Sequence, residues 1–169
     1  MSTTQLDKSK AVKHLQTITI NDMWFTPQNL YEQGLKLAGF EPKLDVCAVY
    51  PFQKCFKFYS IIENGLDPKN KWNWDFFMNP PYSNVKEWVK KAYEQHIQNN
   101  KNGLLLTYAK TDTKWWHEYV EGKAEVHFIK GRIKFILPPI KDGCVWSYNK
   151  VSKNSAPYPS CWIIYRSKK

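Results

Sequence analysis

Phe76-Phe77-Met78-Asn79-Pro80-Pro81-Tyr82 is the stretch on which the reading of this chain turns. The three apolar residues, with Asp75 before them, read as a short buried strand. Two consecutive prolines lock φ and restrict the residues that precede them, so the strand leaves into a rigid loop. That loop carries two acceptors, the Asn79 side-chain oxygen and the Pro80 main-chain carbonyl, beside the aromatic face of Tyr82. Asn79, Pro80, Pro81 and Tyr82 are therefore the candidate catalytic residues. The constellation suits placing a methyl group on a planar, conjugated nitrogen: the acceptors take its hydrogens and localise its lone pair, and the ring holds the flat group in line with the donor. The plain alternative is a Pro-Pro turn behind a buried strand.

Upstream, Thr26-Pro27 reads as a helix start, with Thr26 as N-cap and Pro27 at the first helical position. Leu30, Tyr31, Gly34, Leu37 and Ala38 share one face, and Gly39 stops the helix. Strands follow over Leu44 to Cys47 and Phe56 to Ile62, the second turned by Asn64-Gly65. Downstream, Asn84 caps a helix whose inner side carries Val85, Trp88, Val89, Ala92 and Ile97. Gly103 to Tyr108 reads as a fully buried strand and 112–121 as a helix. Val126 to Ile129, Ile133 to Leu137 and Cys161 to Tyr165 complete the strands. The Pro/Ser/Asn/Lys segment 138–159 is too long for a plain connection and is marked as functional. Alternating strands and helices predict an α/β fold with a mixed sheet, antiparallel toward its end, and helices on both faces. In such sheets ligands sit beyond the carboxyl ends of the strands, where Asp45 and Asn79 both lie.

With 169 residues the chain supports one full core. We expect a lead-in over residues 1–20, flexible in character, followed by a single domain over 21–169. The net charge of +10 and pI near 9.4 favour a polyanionic partner, nucleic acid foremost. No apolar stretch approaches the roughly 20 residues needed to span a bilayer, and Met1 to Lys13 lacks an apolar signal core, so a cytoplasmic protein without membrane attachment is expected. Cys47, Cys55, Cys144 and Cys161 show no Cys-x-x-Cys spacing and read as buried thiols, and His14, His96, His117 and His127 form no ligand pattern; no metal is expected.

Taken in order, several segments resemble the small phage-type DNA N-6-adenine methyltransferases, the Dam-like proteins of viruses and prophages. The segments are Trp24-Phe25-Thr26-Pro27, Leu44-Asp45-Val46-Cys47-Ala48, Asn64-Gly65-Leu66 with Trp72 or Trp74, Phe77 to Ser83 with Trp88, Lys110 to Trp116, Gly131 to Phe135, and Ala156 to Ser160. The resemblance implies an abbreviated Rossmann-like methyltransferase domain with S-adenosylmethionine as methyl donor, adenine in double-stranded DNA as acceptor, and the cytoplasm of the host of a virus or prophage as its setting. It also implies that Thr26 and Pro27 lie along the methionine part of the cofactor and that Asp45 faces its ammonium group or an ordered water nearby. Cys47, Ala48 and Asn79 complete the expected cofactor set. The chain departs from the usual pattern in one respect. Nucleotide-binding turns after a first strand are glycine-rich, whereas 45–52 contains no glycine. Glu63 is a candidate ribose acceptor, with a solvated turn carboxylate as the favoured reading.

Lys110, Lys114 and Arg132 are the candidate DNA contacts, with Lys141 and Lys150 on the long segment; Trp115 and Trp116 line a groove or pack on the sheet. A monomer or weak homodimer is expected. Two other readings stay open at this level. One keeps the fold and changes the acceptor to an RNA base or a protein glutamine, and the other is a catalytically idle nucleic-acid-binding relative.

Overall fold

A computed structural model describes residues 24–137, 140–142, 145–147 and 151–168, with side chains excluded for 140–147. The expected lead-in over 1–20, His14, Cys144 and the side chains of Lys141 and Lys150 lie outside the described residues. Helix α1 (Gln28–Ala38) buries Leu30, Tyr31, Gly34 and Ala38 at helical spacing. It ends at Gly39, whose φ of +68° places it in the left-handed region and whose N–H returns to the Leu35 carbonyl at 2.9 Å. Strands β1 (Leu44–Asp45), β2 (Lys57–Phe58) and β3 (Phe76–Met78) follow, then one 3₁₀ turn at Tyr82–Asn84 and helix α2 (Val85–Asn99). Strand β4 (Gly103–Tyr108), helix α3 (Lys114–Tyr119) and strand β5 (Glu125–Phe128) lead to a hairpin, β6 (Ile140–Asp142) and β7 (Val145–Ser147), and to β8 (Ser160–Tyr165).

Six strands form one sheet in the order β2-β1-β3-β4-β8-β5. The first four are parallel, and β8 runs antiparallel between β4 and β5. Side-chain alternation sends Phe76, Met78, Leu105 and Ile163 to one face, where α2 and α3 cover them with Trp88, Val89, Trp115 and Trp116. Phe77, Leu104, Leu106, Trp162 and Ile164 point the other way, against Leu30, Tyr31 and Ala38 of α1. Burying each such large side chain contributes about 1.5–3 kcal/mol. The expected α/β architecture, mixed sheet and two-sided helical cover are what the molecule has.

Several local expectations are corrected. Helix α1 starts one residue late: Pro27 is its N-cap, and the Tyr31 N–H bonds the Pro27 carbonyl at 3.0 Å, leaving Thr26 no capping role. Leu37 and Ile97 are exposed, not inward. Helical spacing from Ala92 reaches Gln95 and His96, which are the buried pair, and steps past Ile97. Regular pairing of β1 stops at Asp45, and the anticipated strand over Ile133 to Leu137 is reduced to isolated bridges from Ile136 to Phe25 and Val151. Trp115 and Trp116 are both buried in the core, so neither lines a groove.

Candidate active site

The sheet changes direction at β1. From there the chain moves outward to β2 and later returns on the other side as β3, which opens a crevice beyond the carboxyl ends of β1 and β3. Asp45 ends β1, and the register pairs it with Phe77, two residues before Asn79. A third wall comes from Trp24-Phe25-Thr26. It is tied down by reciprocal main-chain hydrogen bonds between Phe25 and Ile136 at 3.0 and 3.1 Å and by the Phe25 ring lying 4.4 Å from that of Phe52. The resulting narrow cleft brings together Thr26, Asp45, Cys47, Ala48 and Asn79. Pro27 does not share it, and lines a neighbouring groove with Arg132.

Asp45 is almost wholly buried and is held by main-chain donors, Lys54 N–H to Oδ2 at 2.9 Å and Cys47 N–H to Oδ1 at 3.4 Å. Burial pushes its carboxyl up to about 6, against the lowering effect of those two donors and of the Lys54 ammonium. That ammonium bonds the Gln28 side-chain oxygen at 2.9 Å, and burial lowers its pKa. The Cys47 thiol is pushed well up by burial and by the neighbouring Asp45 charge. The Thr26 hydroxyl is buried in the same cleft without a hydrogen-bond partner among the described residues. A buried carboxylate and an orphaned hydroxyl lining one cleft fit the ammonium-bearing, polar end of an amino-acid-like ligand such as that of S-adenosylmethionine.

Asn79 is fixed from both sides. Its Nδ2 donates to the Trp24 carbonyl at 2.7 Å, which sets the amide orientation and leaves Oδ1 as the acceptor; Oδ1 receives the Tyr82 hydroxyl at 3.1 Å. The Tyr82 ring stacks on Tyr108, with centroids 3.9 Å apart and planes at 17°. Burial pushes the Tyr82 hydroxyl far up, so it remains a neutral donor. Pro80 is buried and Pro81 half-buried, consistent with a stiff loop.

The backbone just after β1 is met closely by a glycine from a distant segment. Gly65 lies so close to the Val46 carbonyl that a Cβ there would stand 2.0 Å from the oxygen. The loop carrying Gly65 is pinned by the Lys91 ammonium, which donates to the carbonyls of Gly65, Asp67 and Asn70 at 2.7, 2.7 and 3.0 Å. Glu63 accepts from the Ser60 N–H at 2.8 Å and from the Ser60 hydroxyl, so it closes its own turn. Sequence reasoning missed Trp24 as a partner of Asn79 and Lys54 as a partner of Asp45. Trp24 stood in a quoted segment, but nothing local to Lys54 signalled its role.

Two of the three candidate DNA residues meet one segment, and the third lies apart. Lys110 holds its ammonium 4.3 Å from the Tyr158 ring centroid. Arg132 reaches the Ala156 carbonyl at 3.5 Å. Lys114, by contrast, is spread along α3 toward Glu118 at 3.4 Å. No helix among the described residues is long and apolar enough to cross a membrane.

Against known proteins, the sequence model of a family described as DNA N-6-adenine-methyltransferase (Dam) matches residues 14–167. The chain is 31% identical over 118 residues to the DNA N-6-adenine-methyltransferase of Haemophilus phage HP1 (strain HP1c1), covering 68% of this chain and 66% of that protein. It is 36% identical over 116 residues to the DNA N-6-adenine-methyltransferase of Escherichia phage T1, covering 66% of this chain and 46% of that protein. The matched regions thus span just under two thirds of one relative and under half of the other. The family match runs through the Asn-Pro-Pro-Tyr loop and the Asp45 cleft alike, and the chain belongs to the DNA N-6-adenine-methyltransferase (Dam) family.

Proposed function

We propose that the chain transfers a methyl group from S-adenosyl-L-methionine to the N6 amino group of adenine in double-stranded DNA, at a defined recognition sequence. The observation that carries this reading is the position of Asn79, which lines the Asp45 cleft and also belongs to the Asn-Pro-Pro-Tyr loop. Methyl donor and acceptor amine would therefore meet at one side chain.

When bound, S-adenosylmethionine supplies an electrophilic methyl group. Asp45 and the Thr26 hydroxyl would hold the donor's amino-acid end, with Cys47 and Ala48 along the wall. Adenine's exocyclic nitrogen shares its lone pair with the ring and is a weak nucleophile. Asn79 Oδ1 and the Pro80 carbonyl accept its two hydrogens, and the lone pair is freed for in-line attack. The Asn79 oxygen has two lone pairs, so the Tyr82 hydroxyl need not leave. The Tyr82 ring is stacked on Tyr108 and also meets Phe135 at 6.0 Å and 54°, so the base would have to stack on the part of the ring those two leave uncovered. The nitrogen would gain the methyl as the donor's sulfur–methyl bond breaks and the neutral thioether leaves, and would then lose one proton to water; no strong general base is required beforehand. The target must leave the duplex stack, at a cost of a few kcal/mol. We assign the phosphate contacts to Lys110 and Arg132, with Lys114 as a peripheral contact.

The test is transfer of labelled methyl to duplex DNA followed by nucleoside analysis. Label on N6-methyladenine is expected from the wild type. Tyr82→Phe should keep most of the activity and Tyr82→Ala little, because the stack needs the ring. Label on cytosine or on protein would overturn the assignment.

A further inference from the structure

Segment 156–160 plays no part in the methyl-transfer step, yet it is fastened beside the residues that do. Pro157 and Pro159 bracket Tyr158, locking φ on either side and restricting the backbone of the residues before them. The Ala109 N–H donates to the Pro159 carbonyl at 2.8 Å, and the Ala156 N–H donates to the Ile133 carbonyl at 2.8 Å. A rigid backbone therefore presents a large aromatic ring that stays 47% exposed. An immobilised, half-exposed tyrosine is an unusual use of apolar surface unless something stacks on it.

Three contacts define its surroundings. Tyr158 packs on Tyr108 with centroids 5.3 Å apart, and Tyr108 is itself stacked on Tyr82 of the candidate catalytic loop. Lys110 Nζ lies over one face of the Tyr158 ring, 4.3 Å from its centroid, so a stacking base would take the other face. The Arg132 guanidinium reaches the carbonyl of Ala156 at 3.5 Å, two residues along the same segment. An aromatic ring with one cation over a face and a second anchored two residues back on the same segment, two ring contacts from the Tyr82 ring, has the composition of a single-strand nucleotide platform: the free face takes a base and the cations take its phosphates.

We infer that Tyr158, with Lys110 and Arg132, seats the nucleotide next to the target adenine on the same DNA strand. Turning one base out of a duplex leaves its strand neighbour partly unstacked, and Tyr158 restores a stacking partner to that neighbour while the lysine and arginine hold the displaced backbone. The inference rests on the adenine-in-DNA reading.

The experiment uses the full chain and duplex oligonucleotides carrying its own site, located beforehand by sequencing methylated adenines in DNA from cells expressing it. Abasic nucleotides are placed immediately 5′ or 3′ of the target adenine. On intact duplex, Tyr158→Ala should raise KM for DNA about tenfold, the scale of one lost base–aromatic stack, and S-adenosylmethionine binding by calorimetry should not change. The wild type should lose a similar factor on one of the two abasic duplexes, and Tyr158→Ala should lose nothing further there. Tyr158→Phe should behave as wild type, and Lys110→Ala should flatten the salt dependence by about one phosphate contact. A folded Tyr158→Ala protein with wild-type KM and an undiminished abasic penalty would overturn the platform alone. Absence of methyl on adenine from the wild type would overturn the adenine reading, and the platform with it.

Discussion

The Asn79 side-chain amide donates to the Trp24 carbonyl at 2.7 Å, joining the exit of β3 to a segment that precedes the first described helix. This one bond decides which way the amide faces. With the nitrogen engaged by a carbonyl, the oxygen is the end left toward Tyr82 and the acceptor position.

Asn79→Ala should therefore lower methyl transfer by about 10² to 10³, with S-adenosylmethionine affinity held within a few fold, because the interaction strengthens mainly in the transition state. Asn79→Asp, though similar in shape, sets a carboxylate oxygen against the Trp24 carbonyl and should cost about 1–3 kcal/mol of stability as well. Single-turnover transfer and chemical denaturation check the pair.

Asp45→Ala should weaken S-adenosylmethionine binding at least tenfold, on the order of 1.4 kcal/mol. In the wild type the carboxyl titrates near 6 because it is buried. As pH falls through that value the side chain loses its charge, so affinity for the ammonium-bearing ligand should fall between about pH 7 and 5. Stability should move the opposite way. The folded pKa lies above the ordinary carboxylate value, so the folded state takes up the proton first, and the cost of the buried charge, present above about pH 6, is relieved on acidification. Relative to Asp45→Asn, the wild type should gain on the order of 2 kcal/mol between pH 7 and 4. Calorimetric titrations and denaturation curves at several pH values measure the two trends.

Thr26→Val should separate stability from function. The hydroxyl is buried and unpartnered, and valine has nearly the same shape. Removing an unsatisfied polar group should raise stability by about 1 kcal/mol, and S-adenosylmethionine affinity should drop several fold. Unchanged affinity in this variant would take the Thr26 hydroxyl out of the cofactor site.

Gly65→Ala should be among the most damaging single-methyl changes in the chain. A Cβ would stand 2.0 Å from the Val46 carbonyl oxygen and against the Trp88 ring, neither of which can yield without displacing the turn after Asp45. A loss of about 3 kcal/mol or more is expected, with cofactor affinity falling in whatever folded protein remains. Thermal melting compared with Gly39→Ala, where nothing crowds the added methyl but φ is positive, separates steric overlap from backbone strain.

The strand periods at 76–78, 104–106 and 161–165, the helical stripe of α1 and the proline-stiffened Asn79–Tyr82 exit are properties of neighbouring residues, and the sequence by itself determined them. It also determined that Asp45 and Asn79 would share one end of the sheet, because both terminate strands running the same way. Even there the reading slipped where tertiary contact overrides local pattern. Thr26 looks like a cap but is turned into the cleft, and Ile97 looks inward but falls off the stripe that His96 occupies. Only the tertiary structure decided that Trp24 meets Asn79, that the Lys54 N–H meets Asp45, that Gly65 packs against the Val46 carbonyl, and that Lys110 and Arg132 converge on the segment of Tyr158. Each of these joins segments distant along the chain, and their meeting depends on strand order and register. Such contacts leave no periodic trace in the sequence, because neither partner's immediate neighbours carry any signal of the other.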